Sequence, residues 1–451
     1  MKGLKSIFKF MKGNKHIYFL SIVSIILATF FTILGPLLIR LTIDSIIGNE
    51  PINKEMLIKL VNFIGGKEYL KSNIWIIGLI LIGLTALRGL FLYLKNTLSS
   101  KASEDTAKTI REEMYDHIQR LPYEYHVNAD TGDLIQRCSS DVETIRRFLA
   151  VQLVEIGGAI FTLAFVSYVM FNLNVKLAFV SMAAVPFIFI FAFIFFSKIQ
   201  KVFLETDEAE AELSTVLQEN LTGIRVVKAF ARQDYEIKKF NEKNETFKYY
   251  ICKITRLMAW YWSISDLICM LQIGAVVILG SMWAANGELS LGTLVVFITY
   301  EGMLLWPVRQ MGRILTDMGK AIVSVNRIEE ILNEPIEIAE ENFQKPNIVG
   351  NVSFEDVYFE YESGKPVLKG VSFDVKKGET IAILGPTGSG KSSLVHLLPR
   401  LYEYNMGSIK IDGIELKNID KKWVRKNIGL VLQEPFLFAK TVKENIKIAN
   451  S

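Results

Sequence analysis

The chain has 451 residues, half of them apolar, with 51 lysines and arginines against 47 aspartates and glutamates for a net charge of +4. That near balance excludes the basic field by which nucleic-acid binders hold phosphate backbones, and a mean hydropathy of +0.28 excludes an ordinary soluble composition. Cys138, Cys252 and Cys269 are widely separated and form no CxxC pair, which leaves no structural zinc site or disulfide framework to expect.

The amino end carries Lys2, Lys5, Lys9, Lys12 and Lys15 ahead of an uncharged run over 17–39. A hydrocarbon core of ~30 Å takes about 20 apolar residues as a helix, so this run can span a membrane and is too long for the core of a cleaved signal. Five more runs follow at 74–94, 156–175, 177–197, 267–287 and 289–308. Of the six, only the second and the last carry a charge, Arg88 and Glu301 respectively. Pro36, Pro186 and Pro307 fall inside runs and predict local kinks.

Lysine and arginine resist translocation, so their placement predicts orientation. The connections 95–147 and 198–256 hold eight and eleven of them, whereas the connections after the third and fifth runs hold only Lys176 and none. Both termini are therefore expected on the cytoplasmic side of a cell membrane. The outer connection 40–71, with five basic residues, fits this assignment least well. The two basic connections have apolar residues at helical spacing, which predicts arms that prolong the membrane helices; solvated hairpins are the plainer alternative. Leu121, Pro122 and Tyr123 are expected to break the first arm, and Gly223 the second.

Arg88, Asp266 and Glu301 are ionisable groups within or beside the spans, where charge is costly, and they are candidates for a polar pathway. Glu301 falls near the middle of the sixth run. It is expected to attract a cation, or else to pair with Arg88 or sit protonated in a packed bundle.

Residues 333–350, with Pro335, Pro346 and several Glu and Asn, read as a linker between a membrane domain at 1–332 and a soluble domain at 351–451. In the soluble part Val352 and Phe354, then Val371, Phe373 and Val375, alternate as strand residues do, and the apolar run 380–384 reads as a buried strand. That run leads into Gly385, Pro386, Thr387, Gly388, Ser389, Gly390, Lys391 and Ser392, followed by Ser393, which match the phosphate-loop pattern G-x-x-x-x-G-K-[ST]. Each fixed position has a chemical reason. Glycines let backbone N–H groups curl round phosphate oxygens, a following helix adds its positive end, Lys391 places a charge on the terminal phosphates, and Ser392 is a ligand for Mg²⁺. The run 428–432 reads as a second strand ending at Gln433, with Glu434 and Pro435 next. The Gln433 amide can reach a metal-bound water or simply cap a strand, and Tyr361 can stack on a base or simply belong to a strand.

Six spans, long cytoplasmic arms and a phosphate loop followed by a strand ending in Gln resemble the half-transporters of the ABC exporter family, bacterial multidrug and lipid exporters included. GPTGSGKSS at 385–393, IGLVLQEPFLFAKTVKENI at 428–446 and FEDVYFEYESGKPVLKGVSF at 354–373 resemble its Walker A, Q-loop and adenine-stacking segments. The resemblance implies an α-helical polytopic membrane domain followed by an α/β P-loop NTPase domain, with ATP and Mg²⁺ as ligands. It gives Tyr361 to adenine, residues 385–393 to the phosphates, Ser392 and Gln433 to the metal, and Gln433 to γ-phosphate sensing in catalysis. The segments near 123–128 and 229–240 resemble coupling helices. The implied partners are a second half-transporter, as homodimer or heterodimer, the lipid bilayer, and an amphipathic small-molecule or lipid substrate moved by alternating access; no nucleic acid is implied. The family's LSGGQ-type signature, Walker B strand and switch histidine have no counterpart up to Ser451, so the ATP-binding domain reads as incomplete at its C-terminus, and hydrolysis by these residues alone is doubtful. The competing reading is a non-hydrolysing nucleotide-binding subunit that regulates a complete partner.

Overall fold

Each of the six uncharged or nearly uncharged runs lies in helical structure, because within hydrocarbon a helix satisfies every backbone N–H and C=O inside its own segment. The computed structural model describes residues 7–48, 50–52, 55–337, 343–362, 364–433 and 436–449. Among the described residues, six helical segments are long and apolar enough to cross a membrane. Their main helices are α1 (Lys15–Leu41), α2 (Trp75–Arg120), α3 (Leu153–Leu173), α4 (Val185–Thr222), α5 (Gln233–Ala285) and α6 (Leu291–Asn333). The protein is a multi-pass membrane protein.

The arms are helix continuations. With 46 and 53 residues, α2 and α5 are about 69 and 80 Å long at ~1.5 Å per residue, more than twice a hydrocarbon core of ~30 Å. The breaks fall where the sequence places them: α2 ends at Arg120 before a short helix Tyr123–Asn128, and α4 ends before Gly223 and the short helix Ile224–Ala229. One expectation is corrected. The run 177–197 is not a single kinked helix but Val175–Met182, a turn, and then α4 from Val185. Pro186 occupies the first turn of α4, where its missing N–H removes no helix hydrogen bond. Pro36 and Pro307 do lie inside α1 and α6.

The chain divides into two compact units, Met1–Glu112 with Arg137–Glu329, and Glu113–Gln136 with Glu330–Ser451. In the first unit the core of Ile33, Val166, Met170, Val276, Phe297 and Tyr300 draws on α1, α3, α5 and α6. At one end of this bundle Asp44, buried in the π-helical turn Thr42–Ile47 that continues α1, reaches across to the start of α6. Its Oδ1 accepts from Gly292 N at 2.7 Å and its Oδ2 from Ser290 Oγ at 2.6 Å. A Cβ on Gly292 would lie 2.6 Å from the carboxylate, so only glycine lets it approach. The carboxylate satisfies donors that the first turn of a helix leaves free, and its charge opposes the positive end of α6.

In the second unit, β1 (Val352–Glu360), β2 (Pro366–Val375), β3 (Met406–Ile411) and β4 (Ile414–Glu415) form one antiparallel sheet in the order β2-β1-β3-β4. The predicted alternation is realised as register: Val352 faces Val375, and Phe354 faces Phe373 with their rings stacked 4.5 Å apart. On this sheet sit α7 (Lys391–Leu397) and α8 (Lys421–Asn427), through Leu394, Leu397 and Val424 against Phe354, Phe359 and Ile409.

The expected strands at 380–384 and 428–432 are not strands among the described residues, and they are not buried: Leu384 is 90% exposed and Val431 95%. Apolar strands of this type are stabilised by neighbours on their edges, and no described strand pairs with either. Glu434 and Pro435 lie outside the described residues, as do 338–342 of the expected linker. From Phe343 onward that segment is fastened to the second unit. Gln344 bridges to Ile419, Trp423 Nε1 donates to Pro346 O at 2.8 Å, and Asp412 accepts from Val349 N and Asn351 N at 2.6 and 2.9 Å. Glu337 takes a two-pronged hydrogen bond from Arg425 at 2.7 and 2.8 Å, and its own N–H donates to Arg120 O at 2.7 Å.

Two outcomes follow from these ties. Asp44→Ala strands the donors at the head of α6 and should cost about 1–3 kcal/mol, read as a lowered melting temperature in detergent. The Glu337 carboxyl is pushed up by burial, but the Arg425 fork and Lys421 outweigh this and hold it below its ordinary value. The unfolded chain thus binds this proton more tightly, so the tie stabilises at neutral pH and is lost as pH falls through the lowered value. Protection factors of the α8 amides, taken relative to the intrinsic exchange rate at each pH, should fall on acidification in the wild type, whereas in Glu337→Gln they should be low throughout.

Candidate functional site

The chemistry-bearing loop at 385–393 is positioned by packing of the helix behind it. Leu394 and Leu397 of α7 are buried against the sheet, which fixes the helix, while 385–389 remain exposed at its head. Gly388 and Gly390 adopt φ of +84° and +88°, a region that side-chain-bearing residues seldom enter. Gly390 is doubly constrained, because a Cβ there would lie 2.9 Å from Leu368 Cδ2 and 3.0 Å from Val367 Cγ1. At Gly385 a Cβ would lie 2.7 Å from Ser389 Oγ, so the two ends of the loop approach closely.

Lys391 folds back over this curve. Its Nζ donates to Pro386 O at 2.8 Å, to Gly385 O at 3.0 Å and to Ser389 Oγ at 3.4 Å. The ammonium therefore stands inside a ring of oxygens in an exposed loop whose first helical turn lies next to it. A cation, flexible glycine backbone and free helical N–H groups form an arrangement suited to a polyphosphate.

Tyr361 and Ser393, predicted separately, are brought together: Tyr361 Oη and Ser393 Oγ lie 2.8 Å apart. Ser393 is 6% exposed, so its hydroxyl belongs to this contact. The Tyr361 ring is 46% exposed and braced edge-on by Phe359 and Tyr402, with centroids 4.7 and 5.0 Å away. An aromatic face open on one side and braced on the other suits a planar ligand. Tyr402 was not singled out from sequence. It lies just beyond α7 in a Tyr-x-Tyr pair, and its edge also meets Tyr123 of the short helix Tyr123–Asn128, 5.5 Å between centroids. Burial, with Tyr361 and Tyr123 nearby, pushes the Tyr402 phenol up to about 12, so it serves as a neutral brace.

Ser392 heads α7 beside Lys391. Gln433 is exposed at a bend after the unpaired run 428–432 and makes no hydrogen bond to the loop among the described residues. Nor do the described residues hold any group of three or more His, Cys, Asp or Glu placed to bind a metal. The donors at hand, a hydroxyl and an amide, are neutral oxygens. They fit a Mg²⁺ that keeps most of its shell from water and phosphate rather than one caged by protein.

Two family models match. Residues 18–308 match an ABC transporter transmembrane region, and 368–451 match an ABC transporter model that begins in β2 and includes the loop. Among curated proteins, the chain is 29% identical over 449 residues to the Bacillus subtilis ABC transporter ATP-binding protein YknU, covering 99% of this chain and 74% of that one. It is 33% identical over 346 residues to YgaD of the same species, covering 75% and 59%, and 30% identical over 448 residues to a Staphylococcus aureus protein, covering 98% and 75%. Both of the latter bear names for multidrug export ATP-binding/permease proteins. The chain thus spans about three quarters of the length of two of these relatives and less of the third.

Single-atom changes separate brace from ligand here. Tyr361→Phe removes one hydrogen bond and should cost about 1 kcal/mol of local stability, seen as faster hydrogen exchange in α7, while the open ring face is retained. Gly390→Ala should cost more than about 1 kcal/mol, since a left-handed backbone alone disfavours alanine by that much. Its exchange should quicken in both β2 and α7.

Proposed function

The chain belongs to the ABC transporters, carrying a transmembrane region and ATP-binding sequence in one polypeptide, and we propose that it is one half of an ATP-driven exporter. The observation that carries this is the phosphate loop, with Lys391 ringed by the Gly385 and Pro386 carbonyls, on the same chain as six membrane-spanning helical segments. On this reading residues 1–332 form the membrane domain, 333–350 the connection and 351–451 the nucleotide-binding part.

Tyr361 supplies the face for the base, and Gly385 through Ser393 surround the phosphates. Within that set, Ser393 acts through its hydroxyl contact with Tyr361, and Lys391 is the group that exchanges its carbonyl partners for phosphate oxygens. Ser392 and Gln433 are the residues that would hold Mg²⁺, which neutralises phosphate charge when it arrives with the nucleotide. The excess of Lys and Arg on 95–147 and 198–256 supports a cytoplasmic position for the arms and for the nucleotide. The relatives' names support export of amphipathic small molecules, and a second half-transporter is the partner that completes a pathway through the bilayer.

The reading is tested by photolabelling the membrane-embedded protein with an azido-ATP. Labelling should be competed by ATP and should fall at least tenfold in Lys391→Ala, with the Tyr361→Ala variant weakened less. Undiminished, ATP-competed labelling in Lys391→Ala would place the nucleotide elsewhere and remove the proposal's basis.

A further inference from the structure

The connection between α1 and α2 is folded, and it lies at the end of α2 opposite its arm. After the π-helical turn Thr42–Ile47 come two short helices, Glu55–Phe63 and Lys67–Ser72, and α2 then begins at Trp75. Val61 of the first and Leu70 of the second are buried with Ile46, in the turn that continues α1, and Ile77, near the head of α2. The pair of helices therefore rests on the ends of the first two spans. Glycine specifies the turn between them: Gly65 and Gly66 have φ of +120° and +87°, and Gly66 N donates to Val61 O at 2.9 Å. A Cβ on Gly65 would lie 2.6 Å from Tyr69 Cδ1, so the Tyr69 ring is laid over bare backbone.

What this hairpin shows to its surroundings is apolar and cationic. Phe63 is 91% exposed, and Ile58, Leu60, Tyr69, Ile74 and Trp75 are exposed as well. Trp75 Nε1 donates to Asn73 Oδ1 at 3.3 Å, which satisfies the indole N–H and leaves an apolar ring outside. Lys59 and Glu55 neutralise one another at 2.9 Å. Lys67 and Lys71, four residues apart and so on one helix face, have no carboxylate partner among the described residues, and Glu68 between them pairs with neither.

The surroundings that fit are lipid. Ile46 and Ile77 belong to segments that cross the membrane, so this face is continuous with an interface the chain already has. The headgroup layer on each side of a ~30 Å core is about 5–8 Å deep and a helix is about 10 Å across, so helices seated on the span ends stand in that layer. Tryptophan, tyrosine and lysine suit its gradient, with an apolar body toward the acyl chains and a polar tip toward phosphate. The five basic residues on 40–71 run against the translocation bias that the other two outer connections obey, and lipid phosphates supply the counter-charge on that side.

We propose that the hairpin 55–72, with Trp75, is an interfacial anchor that docks in the outer headgroup layer of an anionic bilayer, Phe63, Tyr69 and Trp75 entering the acyl boundary and Lys67 and Lys71 holding phospholipid phosphates. Seated in this way, it ties the outer ends of α1 and α2 to the leaflet. The inference needs only the membrane topology, so it stands or falls apart from the exporter reading.

The test uses the full chain with Cys138, Cys252 and Cys269 replaced and a spin label on Asn62→Cys, an exposed position in the hairpin. The protein is compared in nanodiscs of phosphatidylcholine alone and of equal parts phosphatidylcholine and phosphatidylglycerol. Collision of the label with an aqueous nickel chelate should fall about threefold when the anionic lipid is present, and collision with oxygen should rise. Salt at about 1 M, which screens charges more than about 3 Å apart, should reverse that change without any substitution of the lysines or aromatic residues. Lys67→Gln with Lys71→Gln should abolish the dependence on phosphatidylglycerol, and Phe63→Ala should raise nickel access in both lipids. Nickel access that is equal in the two lipids, a fall that survives both high salt and the lysine changes, or no effect of Phe63→Ala would each overturn the proposal. Short label-to-label distances, with nickel excluded equally in both lipids, would assign the face to a second copy of the chain and overturn it as well.

Discussion

Hydrocarbon offers no hydrogen bonds, so a chain that crosses it must close its backbone bonds within each helix and must find protein partners for every buried side-chain dipole. The membrane unit is organised by that demand. Thr32 and Thr162 donate to the carbonyl four residues back on their own helices, each at 2.8 Å. Tyr300 ties α6 to α1, and Asp44 ties the turn after α1 to the head of α6. Where a helix is interrupted, as between Met182 and Val185, the break coincides with a proline that can begin a helix at no loss. Satisfaction is not complete: Ser181 Oγ, Ser265 Oγ, Arg309 Nε, Gln310 Oε1 and both Glu301 carboxyl oxygens are buried with no hydrogen-bond partner among the described residues.

The second unit answers to a different constraint, that of holding a flexible glycine loop still enough to bind phosphate. It does so by burying what stands behind the loop. Leu394 and Leu397 seat α7 on the sheet, Val367 and Leu368 crowd Gly390, and Ser393 turns its hydroxyl to Tyr361. Through Tyr402 the same aromatic group meets Tyr123, and through Arg425 and Glu337 the segment after α6 is bound to α8. The loop residues proposed to meet a nucleotide and the ends of α2 and α6 therefore share one packed unit.

Sequence alone located the spans because about twenty consecutive residues with little or no charge are what a hydrocarbon core demands of a helix, and it located the loop because its spacing is dictated by phosphate chemistry. It also placed the helix breaks at Pro122 and Gly223. What it missed depends on partners far away in the chain. Asp44 is an ordinary loop aspartate until Gly292 arrives beside it, Asp266 is a lone intramembrane charge until Arg309 pairs with it, and Tyr402 gains meaning only beside Tyr361 and Tyr123. The runs 380–384 and 428–432 show the converse. Their apolar composition announces a strand, but pairing is a property of neighbours, and the described residues supply none. Gln433, predicted to stand at the end of such a strand, makes no hydrogen bond to the loop among the described residues.

On the proposed exporter reading, nucleotide at the Lys391 loop drives a rearrangement of the membrane helices. It is tested most directly by replacing Cys138, Cys252 and Cys269, placing spin labels at Lys71→Cys before α2 and Asn286→Cys between α5 and α6 of one chain, and measuring the distance between them in reconstituted protein with and without ATP. The account predicts that saturating ATP shifts the distance distribution and that Lys391→Ala abolishes the shift. An unchanged distribution under conditions where ATP is shown to be bound would contradict it.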